Sequence, residues 1–210
     1  MRIVVLASGG VDSSVIMLLL RKSGDEVLPL FVDYGQLAME KEWKSCKLVS
    51  SYLGLNPHKV DVSGFGKSIQ SGITNNKLDI EKKAFLPTRN LLFLTIGAAY
   101  AYANSAAAVC IGILANPIFP DQAVNFIQTA QKCINTALDS DIRIITPLIS
   151  LDKRDILKLA YEHKLPMDLV TYCHSDSDKP CGICISCKER IAAEKWLENN
   201  KTWANSYNQN

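Results

Sequence analysis

The chain has 210 residues, 48% hydrophobic and 21% charged, which excludes a disordered or fibrous chain. At about 100–200 residues per domain this is one domain, with room for a small appendage. Lys+Arg total 23 and Asp+Glu 21, a net charge of +2 that gives no electrostatic footprint for nucleic acid or an anionic membrane.

Residues 2–7 open with a continuous apolar run, Ile3-Val4-Val5-Leu6, which suits a parallel strand buried on both faces. The turn Ser8-Gly9-Gly10-Val11-Asp12-Ser13 follows, and residues 14–22 read as a helix. Residues 27–32 form a second strand, ending in Asp33-Tyr34-Gly35-Gln36. Residues 39–53 are a long helix stopped by Gly54, and residues 59–62 a short third strand. Residues 63–83 are polar and aperiodic, and predict a long loop that moves or orders on ligand binding. Residues 88–104 are a strongly apolar helix, whose Gly97, Ala98 and Ala101 permit close approach to a sheet. Then come a fourth strand (107–113), an irregular segment (114–121), a helix (123–138) and a fifth strand (142–145). A helix over 151–163 starts near Asp152, a cysteine-rich loop follows, and the last helix covers about 188–199. Residues 201–210 are Asn-rich and expected to fray.

Strands alternating with helices predict an α/β fold, a doubly wound parallel sheet. In such sheets ligands bind beyond the carboxyl ends of the strands. The motifs at 8–13, 33–36 and 114–121 each follow a strand, so they converge on one crevice.

The first of these is built for an anion. Gly9 and Gly10 let the backbone approach it, the following helix points N–H groups at it, and Ser8 and Ser13 add hydroxyls. Asp12 would repel a phosphate unless it holds the loop or a magnesium ion. Neither a G-x-x-x-x-G-K-[ST] nor a G-x-G-x-x-G pattern is present. Asp33 and Gln36 shape a pocket or simply form a turn with Gly35 at positive φ. Thr88 is placed to cap the next helix, where Arg89 is a cation at the wrong end of the dipole and needs an anionic partner. A structural salt bridge would also meet that need. Lys153, at another helix start, could neutralise phosphate charge, but on pattern alone it reads as an ordinary solvated lysine beside Asp152 and Arg154. No Ser–His–Asp triad is evident.

Seven cysteines, an odd number, argue with the absence of a signal-peptide pattern for a reducing, cytoplasmic compartment. Cys173, Cys181, Cys184 and Cys187 offer four soft ligands with two interlocking short spacings. A tetrahedral Zn²⁺ site fits, closed and therefore structural; an iron–sulfur cluster is open on the ligands alone. His174 is an alternative ligand beside Cys173. The chain thus divides into a nucleotide-binding part (1–165) and a zinc-binding segment (166–210) packed on the same domain.

The loop SGGVDS resembles the pyrophosphate-binding loop of the N-type ATP pyrophosphatases. With VDYGQ (32–36), LPTRNLLFL (86–94), TPLISLDKRDI (146–156) and the four cysteines, the chain resembles the 7-cyano-7-deazaguanine synthase family over about residues 3–191. That resemblance implies conversion of 7-carboxy-7-deazaguanine, ATP and ammonia to a nitrile precursor of queuosine through an adenylated intermediate. It implies that Ser8, Gly9, Gly10, Asp12, Ser13, Asp33, Gln36, Arg89 and Asn90 hold ATP and Mg²⁺. Asp12, Arg89 and Lys153 would carry catalysis, Asn116 and Asp121 would contact substrate, and the four cysteines would bind zinc. A homodimer is implied too.

The resemblance is uneven. The family's Tyr-Pro-Asp-Cys-Arg-Pro-Glu-Phe is here Phe119-Pro120-Asp121-Gln122-Ala123-Val124-Asn125-Phe126, and Leu37 and Ala38 replace the basic residue after Asp-Tyr-Gly-Gln. An altered substrate half admits an alternative: a ligase passing the adenylated deazapurine to another amine, such as a protein in an antiviral defence system. A nucleotide-binding regulator without turnover and an RNA-modifying adenylase are further alternatives. The intact loop and the absent basic patch argue against them in turn.

Overall fold

The computed structural model describes residues 1–200, so the fraying expected of residues 201–210 lies outside the described residues. Strand β1 (Arg2–Leu6) is central, with β2 (Glu26–Asp33) and β3 (His58–Asp61) to one side and β4 (Ala108–Cys110) and β5 (Arg143–Ile145) to the other. Every neighbouring pair is parallel. The chain steps outward from β1 to β3, then returns to β4. The strand order therefore reverses between β1 and β4, and the crevice opens there.

The helices are α1 (Val11–Lys22), α2 (Met39–Tyr52), α3 (Gly64–Ser68), α4 (Arg89–Ala103), α5 (Val124–Leu138), α6 (Lys153–Glu162) and α7 (Ile185–Asn199). They cover both faces of the sheet, because β1 alternates its apolar side chains. Ile3 and Val5 pack with Val15 of α1, Val49 of α2, Ile156 of α6 and Leu197 of α7. Val4 and Leu6 pack with Leu94 and Ala98 of α4 and Ile127 of α5. Each fully buried aliphatic side chain contributes roughly 1.5–3 kcal/mol. The small residues of α4 serve the expected close approach: a Cβ on Gly97 would stand 2.8 Å from Val109 Cγ1. No helix among the described residues is long and apolar enough to cross a membrane.

Several boundaries differ from expectation, for local reasons. Helix α1 starts at Val11, with Asp12 and Ser13 in its first turn, because Gly10 O accepts from Ser14 N–H and from both the Ser13 and Ser14 hydroxyls. Strand β4 ends at Cys110; β5 supplies only three partners, and residues 111–113 leave the ladder to line the crevice. Helix α7 starts at Ile185 because the Cys184 thiol caps it, accepting from Cys187 N–H.

Residues 63–83 are not the structureless loop the composition suggested. They hold α3, and Ile73 is buried with Tyr34, Ala84 and Leu86 in a cluster of their own. Backbone bonds from Leu37 N–H to Ile73 O and from Gly72 N–H to Lys83 O tie the segment down. Nor does Thr88 cap α4. It takes a left-handed conformation, φ 61°, and makes no capping bond. Asp121 does that work instead. Its carboxylate accepts from Asn90 N–H at 3.1 Å, and its carbonyl accepts from the Asn90 amide at 3.0 Å.

The C-terminal segment docks on the glycine loop between β1 and α1. Thr171 N–H donates to Gly9 O at 3.0 Å, and Lys41 Nζ reaches the carbonyls of Ser175 and Ser177. Ala193 and Leu197 of α7 join the core beneath α1 and α6.

Candidate functional site

The crevice between β1 and β4 contains two adjoining hollows. Ser8, Asp12, Ser13, Gln36, Arg89 and Asn90 line the larger one. Ser8, Gly10, Asp12 and Lys153 line the smaller one, behind the loop. Most of the residues picked out by pattern therefore meet, although Lys153 and Asp12 stand 141 positions apart.

The loop's shape depends on Gly9. It has φ +76°, and a Cβ there would lie 2.5 Å from Glu42 O and 2.6 Å from Cys46 N, both backbone atoms of α2. Gly9→Ala is therefore expected to push loop and helix apart, costing about 3 kcal/mol and weakening any nucleotide binding at the crevice. Urea unfolding and a nucleotide titration check this; wild-type stability and affinity would contradict it.

Lys153 Nζ donates to both carboxylate oxygens of Asp12 at 2.8 Å, with Glu189 3.9 Å away. The lysine sits at the first position of α6, which Asp152 caps by accepting from Arg154 and Asp155 N–H. The ammonium is held at a helix N-terminus, where the dipole disfavours it, by Asp12.

Across the cavity, the Arg89 guanidinium lies 5.9 Å from the ring centroids of both Tyr34 and Phe93. Gln36 is turned inward; its amide donates to Glu42 at 2.9 Å while its oxygen accepts from Tyr34 N–H. Gly35 has the expected positive φ, 87°.

Four of the sequence-predicted residues stand away from the surface of these two hollows, Gly9 being buried against α2. Asp33 is buried, accepting from Gly35 N–H and pairing with Lys59 at 3.4 Å. Asp121 is buried in its bonds to Asn90. Asn116 lines an outer groove with Lys153, Glu189 and Trp196.

The sequence reading missed Glu42, Tyr34 and Phe93 as cavity residues and treated His174 only as a metal ligand. Glu42 and His174 both line both hollows. Burial holds the His174 imidazole down at about 4, reinforced by Arg89 and Lys153, and its buried Nδ1 has no partner.

Burial pushes the Glu42 carboxyl up to about 6, against the Gln36 hydrogen bond and the charge of Arg89. The folded chain thus binds this proton more tightly than the unfolded one. The resulting stability is full below pH 4.5 and lost as pH rises through about 6. Glu42→Gln should therefore stabilise the protein at pH 8 by about 1 kcal/mol, after allowance for solvent screening, and not at pH 4. Paired urea titrations at the two pH values test this, and equal shifts at both would contradict it.

Cys173, Cys181, Cys184 and Cys187 bring their sulfurs within 4.8 Å of one another, and Cys181 Sγ is 3.9 Å from Cys187 Sγ. A tetrahedral site with metal–sulfur bonds of about 2.3 Å has edges of about 3.8 Å. The four thiols are close enough to hold such an ion together, and His174 is outside the group.

Comparison with known proteins agrees with this architecture. The family described as "Queuosine biosynthesis protein QueC" matches residues 2–197. A 7-cyano-7-deazaguanine synthase of Acetivibrio thermocellus is 38% identical over 92% of this chain and 93% of its own. One from Prochlorococcus marinus is 34% identical over 94% and 96%. Among solved structures, NMN synthetase from Francisella tularensis has a TM-score of 0.57 at 17% identity, covering 97% of this chain and 84% of its own. A 4-thiouridine synthetase–RNA complex with bound ATP has 0.54 at 15%, covering 98% and 53%. At those identities the likeness concerns the fold alone. The family match and the near full-length relatives lead to one conclusion: this chain belongs to the QueC family of queuosine biosynthesis proteins.

Proposed function

We propose that this protein converts 7-carboxy-7-deazaguanine and ammonia to 7-cyano-7-deazaguanine at the expense of ATP, within queuosine biosynthesis. One observation carries the reading: a QueC-family chain keeps a glycine phosphate loop and a lysine on one side of the crevice, and an arginine on the other. The substrate carboxylate attacks the α-phosphorus of ATP, forming an acyl-adenylate and releasing pyrophosphate. Ammonia displaces AMP to give the amide. A second adenylation, at the amide oxygen, and loss of AMP leave the nitrile.

In this scheme Ser8, Gly9, Gly10 and Ser13 hold the phosphates. Asp12 orients Lys153, and its carboxylate would be a ligand for the Mg²⁺ that accompanies ATP. Lys153 and Arg89 neutralise the charge that develops as pyrophosphate leaves. Gln36 and Asn90 contact the nucleotide, and Asp33 acts from behind through the turn. Asp121 acts through Asn90, and Asn116 borders the outer groove. The described residues from 166 to 200 form an appendage on the same domain, a reading supported by Ala193 and Leu197 in the common core. The ion at the cysteines is zinc in a structural role, since four thiolates leave no open coordination position. An odd cysteine count with four thiols gathered as metal ligands supports a reducing, cytoplasmic setting. The working unit is a homodimer. No observation favours transfer to a protein amine.

Mass spectrometry of the products from zinc-loaded protein, ATP, Mg²⁺, 7-carboxy-7-deazaguanine and ammonium tests the proposal. The nitrile is the expected end product. An amide that accumulates without nitrile would contradict it.

A further inference from the structure

The smaller hollow has a wall that the scheme above does not use. Arg190, on α7 just past Cys187, lines it together with Ser8, Gly10, Asp12 and Lys153. Its guanidinium is fixed on two sides. Nε donates to Glu194 at 2.7 Å, and the plane lies over the Tyr172 ring, 4.2 Å from its centroid. The side chain is only 13% exposed, and Nη1 is buried without a hydrogen-bond partner. Among the described residues, no other cation has such an orphaned buried nitrogen.

A buried donor without an acceptor costs free energy that a bound acceptor restores. The acids around the hollow do not supply that acceptor. Asp12 is engaged by both contacts from Lys153, Glu42 by Gln36, Glu189 lies beside Lys153, and Glu194 holds Nε. A guanidinium held rigid by one edge and one face, beside a glycine loop, suits a polyphosphate oxygen.

We infer that Arg190 binds the β- and γ-phosphates of ATP and the departing pyrophosphate, so that the cysteine-bearing segment contributes a ligand contact as well as a clamp. The inference rests on the adenylating function proposed above. Helix α7 then serves two ends, since its first turn belongs to the metal site and its second reaches the phosphates.

Calorimetric titration of zinc-loaded protein with Mg²⁺–pyrophosphate, and separately with AMP, tests it on wild type, Arg190→Met and Arg190→Lys. Zinc content is measured on each. Arg190→Met is expected to weaken pyrophosphate binding about 10- to 100-fold while AMP binding and zinc content stay unchanged. Arg190→Lys keeps the charge but not the fork, and should fall between. Unchanged pyrophosphate affinity in zinc-loaded Arg190→Met would overturn the inference, as would equal weakening of AMP and pyrophosphate. Should Arg190→Met fail to fold, Arg190→Lys decides: selective weakening supports the contact, and wild-type affinity overturns it. A wild-type protein that binds no pyrophosphate would instead sink the adenylating function itself.

Discussion

Lys153→Met is expected to lower kcat about 10²- to 10³-fold, roughly 3–4 kcal/mol, with a smaller change in KM for ATP. The reason lies in where the ammonium is held. It is 12% exposed, at the first turn of α6, and both its short contacts are to Asp12. Asp12 stands in the first turn of α1, directly after the glycine loop. Phosphate oxygens bound at that loop would share Lys153 with Asp12, and charge gathering on departing pyrophosphate would draw the lysine further. Methionine keeps the stem and removes that response. It also removes the protein cation that Asp12 is paired with, so the substitution removes attraction and leaves more of that carboxylate's charge uncompensated. Lys153→Met with Asp12→Asn should be less than the sum of the two single losses. Steady-state kinetics of the singles and the double check this. Full additivity would mean that the pair does not act as a unit.

Removing the metal should have a comparable effect on stability. Cys184→Ser is expected to lower zinc content from one per chain to below detection and to destabilise the protein by about 4 kcal/mol. That is well short of the roughly 10–16 kcal/mol binding free energy of isolated zinc-finger peptides, because the sheet and its two cores remain. At roughly 2–4 °C per kcal/mol for a chain of this size, the melting temperature should fall by about 8–16 °C. Cys184 is the sharpest choice: it is fully buried and its thiol also caps α7. Binding should suffer as well, because the segment carrying the cysteines lies on Gly9 through Thr171 and on α2 through Lys41. KM for ATP is therefore expected to rise. Elemental analysis with thermal unfolding measures the first effect and initial rates the second. A zinc-free protein with wild-type melting would remove the structural role.

The order of strands and helices was legible because it rests on local pattern. Ile3-Val4-Val5-Leu6 can only be buried on both faces, and each following glycine or aspartate marks a turn. The phosphate loop and the cysteines were legible for the same reason: their chemistry is written within a few residues. What escaped depends on partners distant in sequence. Glu42 and Arg190 are charges in helices, alike in sequence to their solvated neighbours; only the close approach of α2 to Gly9 and the stacking of Arg190 on Tyr172 place them at the hollow. Thr88 had the composition of a cap, but the carboxylate of Asp121 reaches the helix start from 31 residues away. Residues 63–83 lack a period because short turns around a few buried side chains need none.

If the substrate carboxylate attacks the α-phosphorus of ATP, both its oxygens leave on AMP. The direct test uses 7-carboxy-7-deazaguanine labelled with ¹⁸O at both carboxylate oxygens, with mass spectrometry of every product. Two molecules of AMP per nitrile, each carrying one ¹⁸O, are expected together with unlabelled pyrophosphate. Label in inorganic phosphate, with unlabelled AMP or with ADP, would contradict it by moving the attack to another phosphorus.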